Sequence, residues 1–124
     1  YKRQVAVLGG VPLPLIRLET PNSFYDFDAK YRSNSTKYHC PCGLDQERER
    51  SYQQLAAKAC EVVGVKGWGR VDMMVDQTGA PWLIEVNTVP GMTDHSLVPM
   101  AAKNAGMSFE ELVIRILETS FEDK

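Results

Sequence analysis

Hydrophobic and polar positions alternate most clearly over residues 67–97, GWGRVDMMVDQTGAPWLIEVNTVPGMTDHSL. Val71, Met73 and Val75 alternate with Arg70, Asp72 and Met74, and Trp82, Ile84 and Val86 alternate with Leu83, Glu85 and Asn87. A period of two with unlike faces predicts strands, and Thr78-Gly79 between the runs predicts a tight hairpin turn. Nearer the start, residues 4–8 are a short apolar run, Gly9-Gly10 turns the chain, and 13–19 continue as a second strand. This pair reads as a hairpin at a sheet edge, where Pro12 and Pro14 are tolerated.

Helical spacing governs the rest. Over 45–63, Tyr52, Leu55, Ala56, Ala59, Val62 and Val63 recur at three and four residues as a buried stripe, with Asp45 as cap and Gly64 as stop. After residue 93 a second helix opens, with Ser96 as cap and Pro99 in its first turn, and Gly106 ends it. Ser108 to Glu111 has the form of a capping box opening a last helix, with Phe109, Leu112, Val113, Ile116 and Leu117 as its buried stripe. Residues 21–44 keep no period, which predicts a long loop of the kind that is functional or disordered. The sum is an α+β chain, an antiparallel sheet covered by three helices.

Composition narrows the function classes. A chain of 124 residues is one domain or a piece of one. With 14 basic and 16 acidic residues and no block of one sign, nothing points to nucleic acid or to an anionic membrane surface. No apolar run reaches the length of a membrane span and the first residues lack the order of a secretory signal, so the expectation is a cytoplasmic protein. Cys40, Cys42 and Cys60 make no disulfide framework, and the one-residue spacing of Cys40 and Cys42 matches no usual zinc or redox pattern.

The central hairpin carries the candidate chemistry. With Thr78 and Gly79 as turn centre, Met74 falls opposite Leu83, Asp72 opposite Glu85 and Arg70 opposite Asn87. Like charges directly across a ladder destabilise it unless something positive lies between them. Asp, Glu and Asn offer oxygen ligands, which suit Mg²⁺ or Mn²⁺ and not zinc or copper. The plain alternative is a pair of solvated carboxylates, and a one-residue slip would send them to opposite faces.

The runs GWGRVDMM, LIEVNTVPGMTDHSLVPMAA and AGMSFEELVIRIL, with FYDFDAKY and CPCGL before them, resemble the carboxy-terminal part of bacterial D-alanine–D-alanine ligases, an ATP-grasp family. The resemblance runs from about Val5 onward and implies that residues 1–124 are the carboxy-terminal ATP-grasp domain, less than half of such an enzyme. It also implies a mobile phosphate loop at about 21–44 and a metal-binding hairpin at about 67–87. The implied reaction joins two D-alanines through an acyl phosphate for peptidoglycan synthesis, with ATP and two Mg²⁺ ions, Mn²⁺ being able to substitute.

Residue by residue, the resemblance makes Asp72, Glu85 and Asn87 the metal ligands. Lys30 becomes the phosphate-contacting lysine, and Met74, on the same face as Asp72, is either a support for the adenine or ordinary core packing. Arg70 stabilises the transferred phosphate and the tetrahedral intermediate, the Gly91 N–H forms part of an oxyanion site, and Tyr31 fixes the closed loop. Ser96 and the Leu97 backbone hold the carboxylate of the second D-alanine. Lys2 stands where the family tends to have a ribose-binding glutamate. The implied partners are D-alanine, ATP and the amino-terminal and central domains, and the intact enzyme can be a homodimer. On this reading the isolated chain is inactive. Another ATP-grasp carboxylate–amine ligase, or a noncatalytic folding or interaction module, remain the alternatives. His95 receives no role.

Overall fold

The computed structural model describes residues 2–19, 37–93 and 96–121. Strand β1 (Lys2–Leu8) is the axis of the sheet. It pairs antiparallel with β2 (Val11–Pro12), β3 (Ile16–Glu19) and β5 (Trp68–Val75), while β4 (Lys37–His39) adds to β3 and β6 (Pro81–Asn87) to β5. The order is β4-β3-β1-β5-β6, with β2 beside the tip of β1. Helices α1 (Gln46–Val63), α2 (Leu97–Asn104) and α3 (Phe109–Thr119) complete the described elements. The antiparallel sheet and three helices agree with the sequence expectation.

The two faces of β1 bury different halves of the protein. Val5 and Val7, with Val71 and Met73 of β5, pack under Tyr52, Ala56 and Cys60 of α1. Ala6 and Leu8, with Ile16 and Leu18 of β3, pack under Val98, Ala101 and Ala102 of α2 and Leu112 of α3. Burial on both faces explains why β1 reads as a nearly continuous apolar run. Its first three residues, Lys2, Arg3 and Gln4, are polar; Arg3 and Gln4 are buried, and Gln4 alternates onto the α2 side with Ala6 and Leu8.

Four expectations need correction. The first hairpin is not at an edge: residues 13–15 interrupt it, and β4 covers β3. That strand lies within the stretch expected to be loop, of which residues 21–36 fall outside the described residues. In α1 the buried stripe runs Tyr52, Ala56, Cys60, while Val62 and Val63 are exposed. In α3 only Leu112 is buried, and Phe109, Val113 and Leu117 stay exposed, because no described element covers the outer side of that helix. Helix starts fared better. Asp45 Oδ1 accepts the Arg48 N–H at 2.7 Å, and Ser108 Oγ accepts that of Glu111 at 3.1 Å.

Candidate active site

The hairpin turn is longer than its sequence suggested. Asp76 and Ala80 close a three-residue connection, with the Asp76 N–H donating to the Ala80 carbonyl at 3.0 Å and Gly79 at φ 88°. Only a residue that tolerates a left-handed backbone fits there at low cost. Asp76 is the organiser: Oδ1 accepts from the Thr78 N–H, the Thr78 hydroxyl and the Ala80 N–H, and Oδ2 accepts from the Trp82 indole at 2.9 Å. These bonds, the Thr78 hydroxyl first and the Trp82 indole next, hold its carboxyl well below the usual range.

From that turn the ladder runs Val75 to Pro81, Met74 to Trp82 and Met73 to Leu83. A bulge then passes over Ile84, and beyond it Asp72 pairs with Glu85, Val71 with Val86 and Arg70 with Asn87. The extra turn residue and the bulge offset each other, so both carboxylates still meet across the ladder. Nearer the turn the prediction fails. Met74 lies opposite Trp82, not Leu83, and Ile84 breaks the alternation expected of β6. Met74 is 44% exposed, so core packing does not account for it.

Asp72 is the electrostatic centre of this face. Its side chain is 1% exposed, and Arg70 grips it with Nε on Oδ1 at 2.9 Å and Nη2 on Oδ2 at 3.3 Å. Lys2 approaches Oδ2 at 3.9 Å. The positive charge required beside the carboxylate pair is therefore supplied in part by the chain. Glu85 is exposed, and Asn87 Oδ1 accepts the Val89 N–H at 3.0 Å. Among the described residues no three His, Cys, Asp or Glu side chains gather as a metal cluster. Two facing carboxylates and an amide oxygen fit the small protein share that Mg²⁺ takes when phosphates supply the rest.

Downstream, the turn after β6 folds back on the start of α2. A Cβ on Gly91 would stand 3.0 Å from Ser96 Oγ. Ser96 occupies the cap position of α2, but its side chain makes no cap bond there. Its Oγ instead accepts the Thr93 N–H at 2.9 Å and lies 2.8 Å from the Thr93 hydroxyl. The predicted capping role is thus corrected, because Thr93 competes for the hydroxyl. Among the described residues no side chain caps the first turn of α2, whose backbone donors are the usual setting for a carboxylate. α2 packs on the Ala6–Leu8 side of β1, the side that carries Asp72. Arg70, Asp72, Glu85, Asn87, Gly91, Ser96 and Leu97 thus belong to one side of the sheet. Lys30, Tyr31 and His95 lie outside the described residues.

Sequence reasoning passed over Gln4, the direct cross-strand partner of Asp72. One polar residue opening an apolar run was the available signal.

Comparison with known proteins gives one family. The family model described as "D-ala D-ala ligase C-terminus" matches residues 3–118. A D-alanine–D-alanine ligase of Methylococcus capsulatus is 73% identical over 115 residues, 93% of this chain and 37% of that protein. The crystal structure of the Bacillus anthracis D-alanine–D-alanine ligase complexed with ATP superposes with a TM-score of 0.81 at 30% identity, covering 97% of this chain and 38% of that one. The VanG D-Ala:D-Ser ligase of Enterococcus faecalis gives 0.82 at 31%, covering 96% and 36%. The chain spans a little over a third of the length of the relatives it matches.

Proposed function

The chain belongs to the D-alanine–D-alanine ligase family, matching its carboxy-terminal part, and from that premise we propose that it supplies the phosphate- and metal-handling half of an ATP-dependent ligase that joins two D-alanines for peptidoglycan synthesis. The observation that carries the reading is the set of cross-strand pairs Asp72–Glu85 and Arg70–Asn87. It brings two carboxylates, an amide and a guanidinium together on the side of the sheet where α2 packs. No helix among the described residues is long and apolar enough to cross a membrane, and reliance on ATP suits a cytoplasmic setting.

In this reading ATP phosphorylates the carboxylate of the first D-alanine, and the amine of the second attacks the acyl phosphate, expelling phosphate. Asp72, Glu85 and Asn87 would hold Mg²⁺ or Mn²⁺, which neutralises phosphate charge when bound. Arg70, with part of its fork on Asp72, keeps other N–H donors for the transferred phosphate and for the oxyanion of the tetrahedral intermediate. The Gly91 N–H adds to that oxyanion site. Ser96 and the Leu97 N–H receive the carboxylate of the second D-alanine, aligning its amine for attack. Lys30 contacts the terminal phosphates, Tyr31 fixes the loop over 21–44, and Met74 supports the adenine. The residues matched to a little over a third of a ligase carry these roles, so these 124 residues alone would bind Mg²⁺ and ATP weakly and turn nothing over.

Calorimetric titration of ATP and Mg²⁺ tests the reading, beside a variant with Asp72→Ala and Glu85→Ala. Binding that needs both magnesium and the two carboxylates supports it. Magnesium-dependent ATP binding that survives the double substitution would place the site elsewhere and overturn it.

A further inference from the structure

We propose that Gln4 is a positioning residue of the Asp72–Glu85 centre, its amide oxygen accepting a hydrogen bond from a water held by the divalent cation. The inference rests on the reading of that centre as a cation site and extends it inward to β1.

Gln4 is 4% exposed, and its Oε1 is buried without a hydrogen-bond partner among the described residues. A buried acceptor left unsatisfied is costly, so the position calls for an explanation. On one side Gln4 pairs with Ile16 of β3, which offers no polar side chain, and on the other with Asp72 of β5. Directly paired residues project to the same face, so the amide belongs to the face of Asp72.

The chemistry of the neighbours narrows what can satisfy it. An ionised Asp72 accepts only and cannot donate to Oε1. The Arg70 donors nearest that carboxylate, Nε and Nη2, are turned onto Asp72, and the Lys2 ammonium faces its Oδ2 at 3.9 Å. A hydrated divalent cation at Asp72 and Glu85 would supply what Oε1 lacks. Mg²⁺ and Mn²⁺ sites keep several waters, each an O–H donor polarised by the ion. Outer-shell acceptors that hold such waters also fix how the first ligands are presented. An apolar side chain at this central strand position would pack on Ile16 and the α2 side at lower cost. The amide is what a cation site requires and a plain core does not.

Mn²⁺ alone is the probe, its binding to the 124-residue chain followed by electron paramagnetic resonance of the free ion and by water-proton relaxation. Gln4→Met removes the acceptor at similar length, Gln4→Glu retains one, and the pair Asp72→Asn with Glu85→Gln tests the centre itself. Loss of an outer-shell partner typically weakens a metal by about tenfold or more, and that loss is expected for Gln4→Met. The same variant should melt no lower than the parent in chelator, since an unsatisfied acceptor has gone. Gln4→Glu should keep parental affinity. Should Gln4→Met lose its circular dichroism signal, Gln4→Leu serves as the acceptor-free variant. Parental Mn²⁺ affinity in a folded acceptor-free variant, with binding still lost on Asp72→Asn and Glu85→Gln, sinks the role of Gln4 and leaves the centre standing. Mn²⁺ binding that ignores Asp72 and Glu85, or no binding at all, overturns both.

Discussion

Arg70 holds Asp72 by two hydrogen bonds within one strand, Nε to Oδ1 at 2.9 Å and Nη2 to Oδ2 at 3.3 Å, with the carboxylate 1% exposed. The two residues are a catalytic pairing in the proposed reaction and a structural one in the fold. In that reaction the arginine would meet phosphate charge from a place fixed by Asp72. The buried carboxylate has the fork as its nearest counter-charge.

Removing the arginine should therefore cost stability before any ligand is added. Breaking a buried ion pair from one side leaves an uncompensated charge and typically costs about 3 kcal/mol or more. Arg70→Met should show a loss of that order in urea denaturation, with Lys2 at 3.9 Å giving partial compensation. Arg70→Lys should lose less, because it keeps the charge and forfeits the fork. Equal stability of Arg70→Met and the parent would show that Asp72 does not depend on this contact.

The facing of Asp72 and Glu85 was legible in the sequence, although the route to it was not. A two-residue turn on Thr78-Gly79 gives that pairing by simple counting. The structure reaches it through a longer turn and a bulge at Ile84. Asp76 drives the difference, since its side chain closes the turn one residue earlier than the glycine signal suggests. Helix caps at Asp45 and Ser108 were readable because the bonds are local. The buried stripe of α3 was not, because periodicity shows which side of a helix is apolar and not what packs on it. Gln4 escaped notice since its importance depends on lying across from Asp72, which is far away in sequence.

The Gly91–Ser96 approach predicts a coupled pair of substitutions. A Cβ on Gly91 would come to 3.0 Å from Ser96 Oγ, which is fixed by the Thr93 N–H and hydroxyl. Overpacking of this kind costs about 1 kcal/mol or more. Gly91→Ala should be destabilising in the parent and nearly neutral in a Ser96→Ala background, where the nearest remaining atom, Ser96 Cβ, is at 3.7 Å. A double-mutant cycle by chemical denaturation measures the coupling, and additive effects would show that the hydroxyl yields freely.

The thiols should be unreactive while the protein is folded. Burial, helped by Cys42 and Glu49 nearby, pushes the Cys40 thiol up to about 11, and burial raises Cys42 and Cys60 as well. Only about one Cys40 in a thousand is then thiolate at pH 8, and thiolate is the reactive form. Alkylation by iodoacetamide should be slow in buffer and fast in urea. Rapid labelling of Cys40 in the folded chain would mean that the thiol is not held in this environment.

The turn that sets the hairpin register should carry an acid transition of its own. The Asp76 carboxyl is lowered first by the Thr78 hydroxyl and next by the Trp82 indole, followed by the backbone N–H of Ala80. A group lowered in the folded state lends stability that is complete above its unfolded value, about 4 for aspartate, and disappears as pH falls through the lower folded value. Loosening of the turn should therefore begin below about pH 4 and stay undetectable at neutral pH. Trp82 provides the signal, because its indole donates to Asp76 Oδ2 at 2.9 Å and loses an ionised partner on protonation. Trp82 fluorescence and amide exchange at Thr78 and Ala80 should change together in acid. In Asp76→Asn the exchange should be fast at every pH and the acid step absent. If the step persists in that variant, another carboxylate controls the turn, and the register at Asp72 and Glu85 is held from the β1 side instead.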